Sequence, residues 1–69
     1  MKVIKQRLKK LMKANNLSQR KLSEISGVPQ YSICRYVSGE RIPNVNNLVR
    51  LARALNSSPN YLVGFEEDK

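Results

Sequence analysis

Residues 17–43 read LSQRKLSEISGVPQYSICRYVSGERIP, and this stretch decides the fold. It contains two short helical patterns joined by only three residues. Ser18 is a favoured N-cap residue, so the first of these helices is expected to run from there to about Ser26. Its apolar residues, Leu22 and Ile25, are expected to be buried. Such close spacing of two amphipathic helices is typical of a helix-turn-helix.

The turn between them is Gly-Val-Pro. Gly27 suits the left-handed backbone position that ends a helix, and Pro29 suits the first turn of the helix that follows. That helix is expected to end at residues 38–39. Apolar contacts are expected to lock the two helices across the turn, from Leu22 on one side and Val28, Ile33 and Tyr36 or Val37 on the other.

The flanking segments also have helical patterns. Residues 2–15 predict a first helix with one apolar face, made of Ile4, Leu8, Leu11 and Met12. After the loop that ends at Pro43, Asn44 can cap a helix with the apolar stripe Val45, Leu48, Leu51, Ala52 and Leu55. Ser58 and Pro59 can start a short last helix that carries Tyr61 and Leu62. The predicted fold class is therefore all-α, with five short helices.

The chain has 69 residues, enough for one small domain. We expect that domain over residues 1–65, with the helix-turn-helix at about 18–38 and an acidic flexible tail at 66–69. No apolar run reaches the length of a membrane span, and the N-terminus lacks a signal-peptide pattern. One cysteine cannot form an internal disulfide, which fits a reducing compartment. A cytoplasmic protein is the expectation.

Charge is the most informative part of the composition. The formal net charge is +8, and residues 1–65 hold twelve basic and only two acidic side chains. Positive charges in such excess repel one another, and a protein that carries them usually binds a polyanion. Composition leaves three readings open: a nucleic acid, an anionic membrane surface, or solubility alone.

Catalytic chemistry is sparse. The chain has no histidine, and Glu24 and Glu40 stand alone rather than as an acid–base pair. The three glycines lack the spacing of a phosphate loop, and the available ligands do not suggest a metal site. Cys34 could be a redox-sensing thiol, but a small, adaptable helix residue is the favoured explanation. We therefore expect no enzyme activity, no cofactor and no small-molecule ligand.

Several motifs in fixed order carry a family resemblance. They are LSQxxL at 17–22, GV at 27–28, SIxRxxSG at 32–39, the spacing from Gly39 to Pro43, LxxLAxAL at 48–55 and YLVG at 61–64. Over residues 4–64 the chain resembles the lambda-repressor-like (Cro/cI-type, XRE family) helix-turn-helix proteins. The resemblance implies a five-helix DNA-binding domain, usually a dimer on a pseudo-palindromic operator.

The third helix would then read the bases. With Ile33 facing the core, Tyr31 and Arg35 fall at about 160° and 200°, on the outer face. Residues in the first turn of this helix point at base edges in the family, which adds Gln30. Arg35 could bind guanine and Gln30 adenine, while Tyr31 and Ser32 could contact a thymine methyl group or a phosphate. The alternative is an ordinary solvated face.

Other polar residues are expected at the phosphates. The family places a glutamine like Gln19 between a phosphate and the third helix, where the helix N-terminus adds attraction for the anion. The expected phosphate contacts are Ser18, Gln19, Ser38 and Arg41, together with main-chain N–H groups near Gly39 and Glu40. Further contacts to the DNA backbone are possible from Arg20, Lys21 and Lys10.

Two departures from the family stand out. Many relatives pair an arginine with a glutamate at positions that match Met12 and Val37, so packing is expected to replace that ion pair. Glu40 is an acid where a base would be expected, so any DNA contact there should come from its main chain.

The leading hypothesis is a transcriptional repressor that binds double-stranded DNA as a homodimer. Its dimer contacts are expected at the C-terminal end, from Tyr61, Leu62, Val63 and Phe65, although the first two could simply complete the core. An antitoxin that binds a toxin and represses its own operon is the alternative, and a membrane-surface role for the first helix is third.

Overall fold

The computed structural model describes residues 2–67, except for the side chain of Lys2. This part of the chain forms five helices and no strand: α1 (Lys2–Ala14), α2 (Gln19–Ser26), α3 (Gln30–Ser38), α4 (Val45–Ala54) and α5 (Pro59–Val63). The all-α prediction is confirmed. Glu66 and Glu67 of the predicted tail are described, whereas Asp68 and Lys69 lie outside the described residues. None of the helices within residues 2–67 is long and apolar enough to cross a bilayer.

Side-chain caps start three of the helices, as the sequence predicts. The Ser18 hydroxyl accepts a hydrogen bond from the Lys21 N–H at 3.1 Å, and the Ser58 hydroxyl starts α5 in the same way. Asn44 caps α4 through its side-chain oxygen. Pro29 differs from the expectation, because it is the N-cap residue just before α3 rather than part of its first turn. Its carbonyl oxygen accepts from the Ile33 N–H at 3.1 Å.

One apolar core joins all five helices. α1 packs against α3 and α5, α2 packs against α3 and α4, and α4 also packs against α5. The seven largest side chains that are almost completely buried in this core are Leu8, Leu22, Val28, Ile33, Leu51, Leu55 and Leu62. Within the described residues the core contains no buried polar or charged side chain. Burial of each large aliphatic group stabilises the fold by about 1.5–3 kcal/mol.

Two residues predicted to be buried are exposed. Ile25 is 49% exposed and Val45 is 75% exposed. The inward face of α2 is formed by Leu22 together with the half-buried Gln19, Ser23 and Ser26. Those three lie on one side of Leu22 around the helix, whereas Ile25 lies about 60° to the other side. Val45 is the first residue of α4, nearly two turns before its buried residues Leu51 and Ala52.

Candidate nucleic-acid interface

The turn between α2 and α3 is fixed by two serines. The Ser23 hydroxyl donates to the Val28 carbonyl oxygen at 2.6 Å, and the Ser26 hydroxyl accepts from the Val28 N–H at 3.1 Å. Val28 itself is fully buried. Gly27 ends α2 with a φ of 78°, in the left-handed region that favours glycine. These contacts set the angle at which α3 leaves α2.

The inner face of α3 is anchored by Ile33 and Tyr36, which are both buried. The Tyr36 hydroxyl also accepts a hydrogen bond from the Asn47 side-chain amide at 2.9 Å, which connects α3 to the first turns of α4. Since one face of α3 is held in this way, the opposite face is turned outward.

The four predicted base-reading residues lie on or beside that outer face. Gln30 and Tyr31 are exposed, and Ser32 and Arg35 are half-buried. A groove of about 440 Å³ runs beside α3, and its lining includes Tyr31, Ser32, Arg35, Arg41, Ile42 and Asn44. The structure therefore brings three of the predicted base-reading residues together with Arg41, whereas Gln30 lies outside this groove.

Arg35 does not extend alone into solvent. Its Nη1 forms an ion pair with the Glu40 carboxylate, and its Nη2 donates to the Tyr31 hydroxyl at 3.1 Å. The guanidinium also lies over the Tyr31 ring, 4.7 Å from the centroid. The hydrogen bond to the Glu40 carboxylate, followed by the charge of that carboxylate, raises the pKa of Arg35. Arg35 is thus a cation held by two neighbours.

The Glu40 side chain lies beside Arg35 at this site, a contact that the helical pattern does not indicate. Only its main chain was expected to take part. The signal was an acid five residues after Arg35, with Gly39 between them in a left-handed conformation, φ 85°. That conformation turns the chain back, so that Glu40 comes beside Arg35.

The main-chain N–H groups after α3 already have acceptors inside the protein. The Arg35 carbonyl oxygen accepts from the N–H groups of Gly39, Glu40 and Arg41, and from the Ser38 hydroxyl. In this conformation the N–H groups of Gly39 and Glu40 are thus occupied within the protein, and their expected contact with phosphate stays a prediction. The Arg41 side chain is exposed and borders the groove.

At the start of α2, several predicted phosphate contacts lie close together. Ser18, Arg20 and Lys21 line a shallow depression with Glu24. Both cations form ion pairs with Glu24, at 3.4 Å for Arg20 and 3.7 Å for Lys21.

The remaining predicted contacts do not join this depression. Gln19 is the first residue of α2 and is half-buried outside it, and Lys10 is exposed on α1 and lines neither surface. Cys34 is an exposed free thiol on α3. In the described part of the chain, no three His, Cys, Asp or Glu side chains lie close enough to hold a metal ion.

Comparison with known proteins agrees with this geometry. A helix-turn-helix family profile matches residues 8–62. The chain is 39% identical over 61 residues to the cryptic phage CTXphi transcriptional repressor RstR of Vibrio cholerae, covering 88% of this chain and 54% of that protein. It is 35% identical over 63 residues to an uncharacterized HTH-type transcriptional regulator, YobD, of Bacillus subtilis, covering 91% of this chain and 56% of that protein.

The chain spans about half the length of these two curated relatives. No solved structure gives a significant match. The family match extends from α1 to α5 and includes the whole turn, so the resemblance read from the sequence motifs is confirmed. The chain belongs to the lambda-repressor-like (Cro/cI-type) family of helix-turn-helix DNA-binding proteins.

Proposed function

We propose that this chain binds double-stranded DNA in a sequence-specific manner and regulates transcription, as a repressor that occludes a promoter. The observation that carries the proposal is the two-sided character of α3. One face is buried through Ile33 and Tyr36, and the other presents Gln30, Tyr31 and Arg35. In helix-turn-helix proteins the second helix of the motif lies in the major groove, where such side chains read base edges.

Charge and relatives support the same function. A net charge of +8 on 69 residues favours association with a polyanion. The two relatives described above are named as a transcriptional repressor and a transcriptional regulator. In this proposal Arg35 binds guanine, Gln30 binds adenine, and Tyr31 and Ser32 contact a thymine methyl group or a phosphate.

Phosphate contacts supply position and most of the sequence-independent affinity. We assign this role to Ser18 and Gln19 at the start of α2 and to Ser38 and Arg41 after α3. The basic side chains that extend this contact are Arg20, Lys21 and Lys10. Because Arg20 and Lys21 are paired with Glu24, their contribution requires a rearrangement of those exposed ion pairs, which costs little.

We also propose that the protein binds DNA as a homodimer, with half-sites about 34 Å apart. Phe65 supports a contact near the C-terminal end, because it is 84% exposed. Leu62 is buried in the core, which is the alternative that the sequence left open for it, so we leave it out of the proposed contact. Tyr61 is half-buried and packs against Arg7, so Val63 and Phe65 are the residues assigned to the contact.

Selection from a pool of random duplex DNA tests this function. The expected product is a pseudo-palindrome whose half-sites are about 10 base pairs apart, and its affinity should fall steeply between 50 and 200 mM salt, on the order expected for several phosphate contacts. The Arg35→Ala variant, run in parallel, should enrich a more degenerate site. Enrichment of no sequence above the starting pool would contradict the proposal.

A further inference from the structure

Glu40 and Tyr31 hold the Arg35 guanidinium, and some of its N–H groups remain available as hydrogen-bond donors. An arginine has five N–H donors, and Glu40 and Tyr31 occupy one on each of the terminal nitrogens. The remaining N–H groups include one on each terminal nitrogen and the one on Nε. Guanine offers two adjacent acceptors, N7 and O6, to an arginine. Three N–H groups of Arg35 therefore remain for a guanine while the contacts with Glu40 and Tyr31 persist.

Exposure shows how far these contacts confine the side chain. The Arg35 side chain is 37% exposed, whereas Arg20, which also pairs with a glutamate, is 81% exposed. Tyr31 contributes to the lower exposure of Arg35 with a ring under the guanidinium and a hydroxyl beside it. Ordering one long side chain on binding costs about two- to tenfold in affinity, and an arginine that is already ordered avoids that cost.

Glu40 also carries a negative charge on the side of the molecule proposed to meet phosphates. Residues 1–65 contain only one other acid, Glu24, which pairs with Arg20 and Lys21 on α2. A carboxylate beside α3 repels every DNA sequence to a similar extent, because the phosphate backbone is the same in all of them. Glu40 therefore lowers the affinity for all DNA. Its contact with Arg35 compensates by raising the affinity for sequences that carry the base Arg35 binds.

We propose that Glu40 is a positioning residue for base reading, which acts together with Tyr31 to hold Arg35 with its remaining donors turned toward the major groove. Glu40 thereby raises discrimination at the base pair that Arg35 contacts and lowers the affinity for DNA of any sequence. This inference rests on the proposed DNA-binding function and adds to it a side chain that touches no base.

The test uses the selected operator and its three single-base-pair variants at the position that Arg35 contacts, which is the position where Arg35→Ala removes the preference. In Glu40→Gln, discrimination among the four duplexes should fall by about two- to tenfold, the cost of ordering one side chain. Affinity for an unrelated duplex should rise. In the Arg35→Ala background, Glu40→Gln should raise the affinity for all four duplexes by the same factor.

Three further variants separate positioning from charge. Glu24→Gln makes the same change in net charge on α2, and should leave discrimination at this base pair unaltered. Glu40→Asp keeps the charge but shortens the reach, so it should lose discrimination without gaining affinity for unrelated DNA. Tyr31→Phe keeps the ring and removes the hydroxyl, so its loss of discrimination should be smaller than that of Glu40→Gln.

The outcomes distinguish this inference from the function on which it rests. If Glu40→Gln raises the affinity for all four duplexes equally while Arg35 is present, Glu40 only repels DNA. If it increases discrimination among them, Glu40 competes with the base for Arg35. The positioning role is then wrong and the DNA-binding function stands. If Arg35→Ala alters no base preference, the positioning role is also overturned. If the wild-type protein selects no sequence at all, the proposed function fails first.

Discussion

The hydroxyl of Ser23 donates to the carbonyl oxygen of Val28 at 2.6 Å, across the turn that joins α2 to α3. The Val28 N–H is bonded in turn to the Ser26 hydroxyl. Both main-chain polar groups of a fully buried residue thus find partners in side chains of the preceding helix. The angle of α3 depends on these two bonds as well as on the apolar contacts around them.

Replacing Ser23 by alanine should destabilise the protein by about 1–3 kcal/mol, because a buried carbonyl oxygen loses its hydrogen-bond donor. Urea unfolding followed by circular dichroism measures the change. Ser57→Ala, a half-buried serine before α5, provides the comparison. A Ser23→Ala midpoint equal to that of the wild type would show that the bond contributes nothing to stability.

Gly27 offers a clean measure of backbone strain. Its φ is 78°, and a Cβ added there would meet no atom within 4 Å. Gly27→Ala should therefore cost about 1–2 kcal/mol through conformation alone, and Gly27→Asn should cost less because asparagine tolerates the left-handed region better. Thermal unfolding of both variants gives the comparison. Equal losses for alanine and asparagine would contradict this explanation.

Arg7 connects α1 to the C-terminal end. It donates to the carbonyl oxygens of Tyr61 at 2.7 Å and Glu66 at 2.5 Å, and its guanidinium lies 4.4 Å from the centroid of the Tyr61 ring. Arg7→Lys keeps the charge but loses the planar fork, and should cost about 1–2 kcal/mol. Faster amide hydrogen exchange in α5 should accompany that loss. Arg53→Lys, at an exposed position on α4, should change stability by less than about 0.5 kcal/mol.

Arg35→Ala should lower the preference for the selected operator by about 1–3 kcal/mol while binding to unrelated DNA is mostly retained. Fluorescence anisotropy with matched duplexes measures both affinities. Arg53→Ala removes the same charge from an exposed site on α4 and should leave the preference intact. An equal loss on every duplex would make Arg35 a phosphate contact instead.

Gln19→Ala should weaken binding to all DNA by a similar factor, because its proposed partner is a phosphate that every sequence shares. The same anisotropy measurement, repeated on the operator and on unrelated duplexes, checks this prediction. A shift in base preference would contradict the phosphate role and would place Gln19 among the residues that read sequence.

The helix boundaries could be predicted because capping is local chemistry. Ser18, Asn44 and Ser58 each accept a hydrogen bond from an N–H three residues later, and the residue types alone indicate such caps.

The expectation for Ile25 was wrong because it was based on hydropathy alone. The face of α2 that packs inward carries Ser23 and Ser26, whose small size permits a close crossing and whose hydroxyls find partners in the turn.

The outer face of α3 could be predicted from its period, but the contact between Arg35 and Glu40 could not. The two residues are five apart, beyond the three- and four-residue spacings at which side chains meet on one helix. Their contact depends on the left-handed conformation of Gly39, which a helical projection does not represent. The helical pattern predicts which residues form α3, whereas the chain reversal at Gly39 decides which residues after the helix contact them.

The core described above is wholly apolar among residues 3–67, and the side chains proposed to read DNA lie outside it. Exchange of Gln30 or Tyr31 should therefore alter the free energy of unfolding by no more than about 0.5 kcal/mol. Under the proposed function, stability and operator choice therefore depend on different residues, even along a single helix of nine residues. Single substitutions on the outer face of α3 can therefore change the DNA sequence that such a protein binds. Because the domain stays folded after each one, further substitutions can follow.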